Sequence, residues 1–346
     1  MSTSLTRNWV FRLVVAIILL AAVVVAGRTY AAKSGTADEN RVRVGWVSAA
    51  TWVPWATLDE ELDDGTNVEL TPFKSSNDAL TALANGSVDM APVGYNNLAS
   101  LLTSGNPRVS FVSGISSNGS VFLAREGSGI DSWDDLKGKR IGSVRGSTQY
   151  INLAAAMETR GMDIDRDTQY MNMQSFPDLN LALQRGDVDG IVTFPPLSGE
   201  AEEAGYGHIV PDIQDSLYDG SFSVASGILA NDAFLENNRD EAVEVMRAFS
   251  KRLETLADDP ETWEREYQDI TGSSGTGIST ALEKKYIVPI LEMPEDEING
   301  VPPVLTRLGI IDDDDNTALA EHLDYSILED VTGRTATDLG KNGDNS

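Results

Sequence analysis

Residues 137–206 constrain the fold more tightly than any composition figure, because two strand–turn–helix units follow each other there in a fixed order. The first reads LKGKRIGSVRGSTQYINLAAAMETRGM. A short apolar strand, Arg140 to Val144, runs into Arg145-Gly146-Ser147-Thr148-Gln149-Tyr150, which opens a helix. The second unit ends a helix at Arg185-Gly186, places a strand at Asp189 to Thr193 and stops it at Phe194-Pro195-Pro196. Glycine and small hydroxyl residues at a strand-to-helix turn leave free backbone N–H groups at the helix start, facing a crevice. Both strand ends are therefore expected to meet across one cleft and to hold a ligand there.

The same alternation runs through the rest of the chain. Arg41 to Val47 alternates as a buried strand. Ser48-Ala49-Ala50-Thr51-Trp52-Val53-Pro54-Trp55 follows, leading into a helix to about Leu62. Val68 to Phe73 is a strand, Ser75-Ser76-Asn77-Asp78 caps a helix to Ala84, and Asn85-Gly86 ends it. Val88 to Val93 is the next strand, Gly94-Tyr95-Asn96-Asn97 starts a helix, and Val109 to Val112 is a strand again. Short alternating strands and helices predict an α/β fold with mainly parallel sheets. A chain of 346 residues suffices for two packed lobes. Two extended segments, Gly119 to Arg125 and Ser221 to Ala230, flank one lobe as two hinge strands would. From Asn231 to Val331 the pattern is helical, clearest where Ala242, Val245, Met246, Phe249, Leu253 and Leu256 form one stripe. These units predict lobe 1 at 41–122 and 225–331, lobe 2 at 123–224, and a polar, frayed tail at 332–346. No internal repeat of solenoid length is visible.

The N-terminus carries Arg7 and Arg12 without an acid, then unbroken apolar Leu13 to Ala26, then Thr29-Tyr30-Ala31. That order predicts a secretory signal peptide over 1–31, with an uncleaved signal-anchor as the alternative, and a polar linker over 32–40. Either way the remainder is exported to the periplasm or cell surface. With no cysteine, disulfides, thiolate metal sites and a lipid-bearing cysteine are excluded. The net charge is −28, and only eight of the 26 basic residues are lysine. Such a field repels nucleic acid and anionic membranes, and its self-repulsion is relieved at high ionic strength. No nucleic-acid partner is expected.

DALTALANGSVDMAPVGYNNLASLL, DDLKGKRIGSVRGSTQYINLAAAMETRGM and LALQRGDVDGIVTFPPLSG together resemble the solute-binding subunits of ABC importers for taurine, alkanesulfonates and nitrate. The order and spacing match over about 41–230. The resemblance implies a type II periplasmic-binding-protein fold that closes on a small molecule by hinge motion. A monomer would then deliver its ligand to a membrane permease driven by a separate ATPase. On the same resemblance Ser147, Thr148 and Gln149 match the turn that holds the anionic group, and Ser75, Ser76 and Asn77 occupy the corresponding turn of lobe 1. Plain helix capping is the alternative for both. Thr51, Trp52, Trp55, Tyr95, Asn96, Tyr150 and Phe194 follow turns rather than regular stripes, and are candidates for pocket walls, with core packing as the alternative. Arg145 could pair with an anionic ligand in bidentate fashion.

Phe194-Pro195-Pro196 departs from the resembled pattern, which has an aromatic, Asp and Pro where taurine and sulfonate binders hold a ligand amine. A ligand without a cationic end, sulfonate-like, is the simplest expectation, although Asp59 or Asp78 could supply a carboxylate. A neutral or cationic ligand on the same fold is the alternative: a pyrimidine thiamine precursor, urea or an amide, or a quaternary amine held by cation–π contacts. Asp312 to Asp315 lacks the spacing and glycine of a calcium loop and reads as an acidic helix start. His208 and His322 have no partner pattern, so neither metal nor cofactor is expected. No GxSxG, HExxH or phosphate loop is present, which argues against an enzyme. A ligand-sensing domain for a separate signalling partner is the rival of another class.

Overall fold

Val42 and Val44 are buried at alternate positions of the first strand, while central strands such as Met90–Gly94 and Gly190–Thr193 are buried on both faces. The computed structural model describes residues 41–62, 66–312 and 318–343. The expected leader and linker, and Asp313 to Asp315, lie outside the described residues. From Val42 onward the chain forms one compact unit.

The strands are β1 (Arg41–Trp46), β2 (Asn67–Pro72), β3 (Met90–Gly94), β4 (Val109–Asn118), β5 (Val121–Arg125), β6 (Arg140–Ser143), β7 (Gln169–Asn172), β8 (Gly190–Thr193), β9 (Gly207–Ile209), β10 (Val224–Asn231) and β11 (Ile287–Pro289). One six-stranded sheet has the order β11-β4-β10-β3-β1-β2, and a five-stranded sheet has the order β7-β6-β8-β5-β9. The longer helices are α1 (Ser76–Ala84), α2 (Tyr95–Leu102), α3 (Thr148–Glu158), α4 (Phe176–Arg185), α5 (Leu197–Glu203), α6 (Arg239–Asp258), α7 (Pro260–Thr271), α8 (Ile278–Glu283) and α9 (Val301–Arg307).

Both sheets are mixed rather than mainly parallel. β1 pairs in parallel with β3, and β6 with β7 and β8. β10 is antiparallel to both β3 and β4, and β5 to both β8 and β9. The chain leaves the larger sheet at the end of β4 and re-enters it beside that point, with Val224 opposite Ser117, so the returning strand must run the other way. The first crossing passes through Asn118 (φ 64°) and Gly119 (φ 101°), two consecutive left-handed residues. On one side of that point the chain is held to the segment leading into β11 of the larger sheet: Asn118 Nδ2 donates to Lys285 O at 2.8 Å, and Gly119 N to Tyr286 O at 2.6 Å. On the other side, Ser120 N donates to Tyr218 Oη at 2.9 Å, and its carbonyl accepts from Gln214 Nε2 at 3.0 Å.

Along β5, Phe122 and Ala124 join the main core while Val121 and Leu123 join a second cluster with Leu179, Leu183, Val188 and Ile191. Both faces of the smaller sheet are therefore covered. All six residues of the expected stripe on α6 are buried. Arg252 is buried on the same helix, its Nε donating to Thr57 Oγ1 at 3.1 Å and its guanidinium paired with Glu60 at 2.9 Å and with Glu266. The helix expected up to Leu62 is three short turns instead, Ala50–Trp52, Val53–Ala56 and Leu58–Glu61. The tail is not frayed over its described part. Leu339 is fully buried, Met293 N donates to Leu339 O at 2.9 Å, and Glu295 N donates to Gly340 O at 3.0 Å.

Candidate functional site

α2 begins directly at the end of β3, with Gly94 as its N-cap and no side chain accepting from the first turn. A Cβ at Gly94 would stand 2.6 Å from Asn97 Oδ1 and 2.7 Å from Asn96 Oδ1. The missing side chain is what lets these two amides fold back over the helix start. α3 begins after Gly146, a left-handed residue at φ 83°. Ser147 caps it, its hydroxyl accepting from Tyr150 N at 3.2 Å. Ser147 thus performs the capping role, while the amides of Thr148 and Gln149 belong to the helix's first turn, which has no acceptors of its own.

These two helix starts meet. The Thr148 hydroxyl donates to Asn96 Oδ1 at 3.2 Å, and Asn96 Nδ2 reaches Gly146 O at 3.5 Å. Asn96 is only 4% exposed. The charge pattern around them is equally specific. Among the described helices of eight residues or more, α1, α4, α6 and α7 carry Asp or Glu in the first turn. α2 and α3 carry none. In a chain with 54 acids, the two long helix starts that face each other are those left without one. Their aligned dipoles present partial positive charge with no carboxylate to neutralise it.

The Ser75-Ser76-Asn77 turn differs. Ser75 accepts from Asp78 N at 3.2 Å and donates to Asp78 Oδ2 at 2.9 Å, so this helix start is closed by its own acid. Asn77 reaches the α2 turn only through Asn97, whose Nδ2 donates to Asn77 Oδ1 at 2.9 Å. The Ser75 arrangement recurs at Ser175 and Asp178 on α4.

Three indoles fix the segment after β1. Trp52 Nε1 donates to Ser226 Oγ at 3.2 Å, Trp55 Nε1 to Gly45 O at 2.9 Å, and Trp263 Nε1 to Ala50 O at 2.7 Å. Trp52 thereby touches β10 at Ser226, which stands opposite Gly94 in the sheet. Thr51 is half-buried beside it. Trp55 is fully buried and packs edge-on against Phe249 at 5.6 Å, so it is a core residue and not a pocket wall. Tyr95 is likewise a core residue. Its ring packs on Phe111 at 4.4 Å, its hydroxyl lies beneath Gly227, and burial pushes its phenol far above the usual range.

Arg145 is committed to partners around the smaller sheet. It pairs with Asp165 at 2.6 Å, donates to Tyr150 Oη at 2.9 Å, and lies over the rings of Tyr150 and Tyr170 at 4.9 and 4.6 Å. Its backbone N donates to Asn172 Oδ1 at 3.0 Å. Arg145 and Tyr150 therefore brace the Gly146-Ser147 turn from behind. Phe194 is half-buried at the end of β8 and packs on Phe176 at 4.6 Å. Gln149 is half-buried on the first turn of α3. Gly94, Asn97 and Ser226 were not among the residues the sequence singled out; only the Gly-Tyr-Asn-Asn helix start signalled the first two. His208 pairs with Glu126 at 2.9 Å and His322 with Val109 O at 2.7 Å, both away from this site. Among the described residues no group of three or more His, Asp or Glu side chains is arranged to hold a metal ion, and no helix is long and apolar enough to cross a membrane.

Two mixed sheets flanked by helices and joined by two crossings match the periplasmic-binding-protein fold. The chain belongs to the NMT1/THI5-like family, whose model matches residues 62–263. The aliphatic sulphonate binding protein SsuA of Escherichia coli superposes with a TM-score of 0.69 at 18% identity, covering 82% of this chain and 91% of that one. The alkanesulfonate-binding protein SsuA of Xanthomonas axonopodis pv. citri, bound to MOPS, gives 0.66 at 16% identity over 84% and 99% of the two chains. The nitrate-binding protein NrtA of Synechocystis PCC 6803 gives 0.66 at 10% identity over 85% and 88%. At such identities the likeness establishes the fold alone. In sequence, "Putative binding protein YtlA" of Bacillus subtilis (strain 168) is 23% identical over 192 residues, 55% of this chain. That match spans 57% of the relative's length.

Proposed function

We propose that this protein is the exported solute-binding subunit of an importer, holding a small sulfonate-like organic anion between two lobes. The single observation that carries the anion is the meeting of two acid-free helix starts, α2 and α3, in an otherwise strongly acidic chain. Two facing dipoles in a water-poor site are worth more than one exposed helix end, which contributes about 0.3–1 kcal/mol. The neighbours named for sulfonates and nitrate support the same ligand class. Amides of the two first turns would donate to the anion's oxygens, with Asn96, Thr148 and Gln149 around them and Trp52 and Phe194 against the ligand's body. Arg145 would act by holding the α3 turn, not by touching the ligand. The closed complex would dock on a membrane permease served by a separate ATPase, with no chemistry on the ligand.

A thermal-shift screen of the chain from residue 32, at high salt, tests this reading. Alkyl and aryl sulfonates, MOPS and nitrate should raise Tm, since a ligand at a hundred times its Kd stabilises by about 2.7 kcal/mol. A shift with pyrimidines or quaternary amines alone would refute the anionic ligand and leave the fold untouched.

A further inference from the structure

A second contact joins the two sides of the molecule away from the helix starts. α5 follows β8 and the Phe194-Pro195-Pro196 turn, on the side of the smaller sheet. Its Gly199 lies against Thr276 and Gly277, in the 272–277 loop between α7 and α8. That loop is anchored to the larger sheet's side, because Trp263 on α7 is buried and bonds Ala50 O at 2.7 Å.

The contact is backbone on backbone. A Cβ at Gly199 would stand 2.4 Å from Thr276 O and 2.7 Å from Gly277 Cα, and one at Gly277 would stand 2.6 Å from Gly199 Cα. Real Cβ atoms do not approach backbone so closely, so a side chain at either position must push α5 and the loop apart. The loop has little freedom to yield. Behind it, a Cβ at Gly275 would meet Glu264 O at 2.4 Å. Ser279 N and Oγ both donate to Glu264 Oε2, at 3.2 and 2.8 Å. Thr276 N donates to Ser274 Oγ at 3.1 Å, and the two hydroxyls bond at 2.8 Å. A rigid loop, backed by α7, presents glycine to a glycine on the opposite side.

We propose that residues 272–277 form a strap that seats on α5 only when the two lobes close, and that the Gly199–Gly277 contact sets how far they close. The strap would thereby control ligand affinity from a place the ligand never touches. This rests on the capture reading above. Glu200, next to the contact, is consistent with seating: burial raises its carboxyl pKa, and its charge adds to the burial that raises the Tyr267 phenol on α7.

The experiment compares wild type with Gly199→Val and Leu339→Ala, using pentanesulfonate and MOPS as probes. Titration calorimetry gives affinity, solution X-ray scattering gives the radius of gyration with and without saturating probe, and urea unfolding confirms the fold. Gly199→Val should raise Kd about tenfold or more, because apparent affinity scales with the fraction of molecules able to close. It should also abolish the contraction seen when wild type is loaded. Leu339→Ala, which empties a buried position outside both the strap and α5, should lower stability while leaving the contraction intact. Should Gly199→Val not fold, Gly199→Ala takes its place with the same expectation at reduced size. Wild-type affinity and contraction in a folded Gly199 variant would overturn the strap while leaving capture standing. Failure of wild type itself to bind either probe would overturn the capture reading, and the strap with it.

Discussion

Replacing Asp189 with Asn tests how the smaller sheet is held together. The carboxylate accepts from Arg140 through its backbone N at 3.1 Å, Nε at 3.0 Å and a terminal nitrogen at 2.6 Å, and from Arg125 at 3.2 Å. Its side chain is 14% exposed, while those of Arg140 and Arg125 are 36% and 30% exposed. A charge-assisted bond contributes about 1.5–3 kcal/mol, but two arginines that reach water regain hydration once released. Asn keeps one acceptor oxygen and turns an NH2 group toward donors. A net loss of roughly 2–3 kcal/mol follows, a fall of about 3–5 °C in Tm at the unfolding entropy of a chain this long. The pH dependence is a second readout. The arginines hold the Asp189 carboxyl well below the usual carboxylate range, the Arg140 bonds first and burial opposing them. A depressed pKa contributes stability that is complete above the unfolded value, about 3.9, and is lost as pH falls toward the folded one. The gap between wild type and Asp189→Asn should therefore be constant from pH 5 to 8 and narrow below pH 4. Urea unfolding across that range measures it. A gap under about 1 kcal/mol, or one that does not narrow in acid, would refute this account of the pair.

Asn96→Ala and Thr148→Val should couple by about 1 kcal/mol in a double-mutant cycle on pentanesulfonate affinity, a factor of about five, since each removes one end of the same 3.2 Å bond. Additive losses measured by calorimetry would mean that the bond is absent from the bound state. Leu339→Ala should cost about 2–4 kcal/mol in urea unfolding, because the side chain is fully buried near the end of the described chain. Trp263→Phe should cost at least about 1 kcal/mol through loss of the 2.7 Å bond to Ala50 O. Raising NaCl from low to molar concentration should raise Tm, because screening relieves self-repulsion at a net charge of −28; a Tm that falls would contradict it.

Much of the fold was legible because short apolar runs and cap residues are local signals. Ser75 and Ser147 cap the helices predicted for them, and Gly186 ends one in the left-handed conformation at φ 76°. Strand direction was not legible: the placement of β10 between β3 and β4 is a property of the whole chain path. Nor could position after a turn separate Trp52, which reaches β10 at Ser226, from Trp55, which packs under the sheet on Phe249. Arg145 looked free because its partners Asp165 and Tyr170 are twenty or more residues away. One signal was present and unread. Ser75, Asp78, Ala82, Leu83, Gly86, Val88 and Asp89 recur at Ser175, Asp178, Ala182, Leu183, Gly186, Val188 and Asp189, each 100 residues on. The structure gives the two blocks the same work: Ser caps α1 and α4, and the closing Asp pairs with an arginine, Arg43 in one sheet and Arg140 in the other.

That repeat bears on which helix starts can hold a ligand. In both copies the Ser and the Asp three residues along satisfy each other, so the starts of α1 and α4 have their dipoles already countered. The helices α2 and α3 lie outside the repeated block and share none of its residues, yet both begin without an acid, and Asn96 and Thr148 tie one to the other. The other four long helices each carry a carboxylate in the first turn. The remote negative surface matters little to a bound anion, since charges beyond about 8–10 Å are screened at ordinary ionic strength. Dipoles enclosed at contact distance act through a lower dielectric and are not screened in this way. On the function proposed above, an acidic protein holds its anion at this one place because neither of the two helix starts carries a carboxylate.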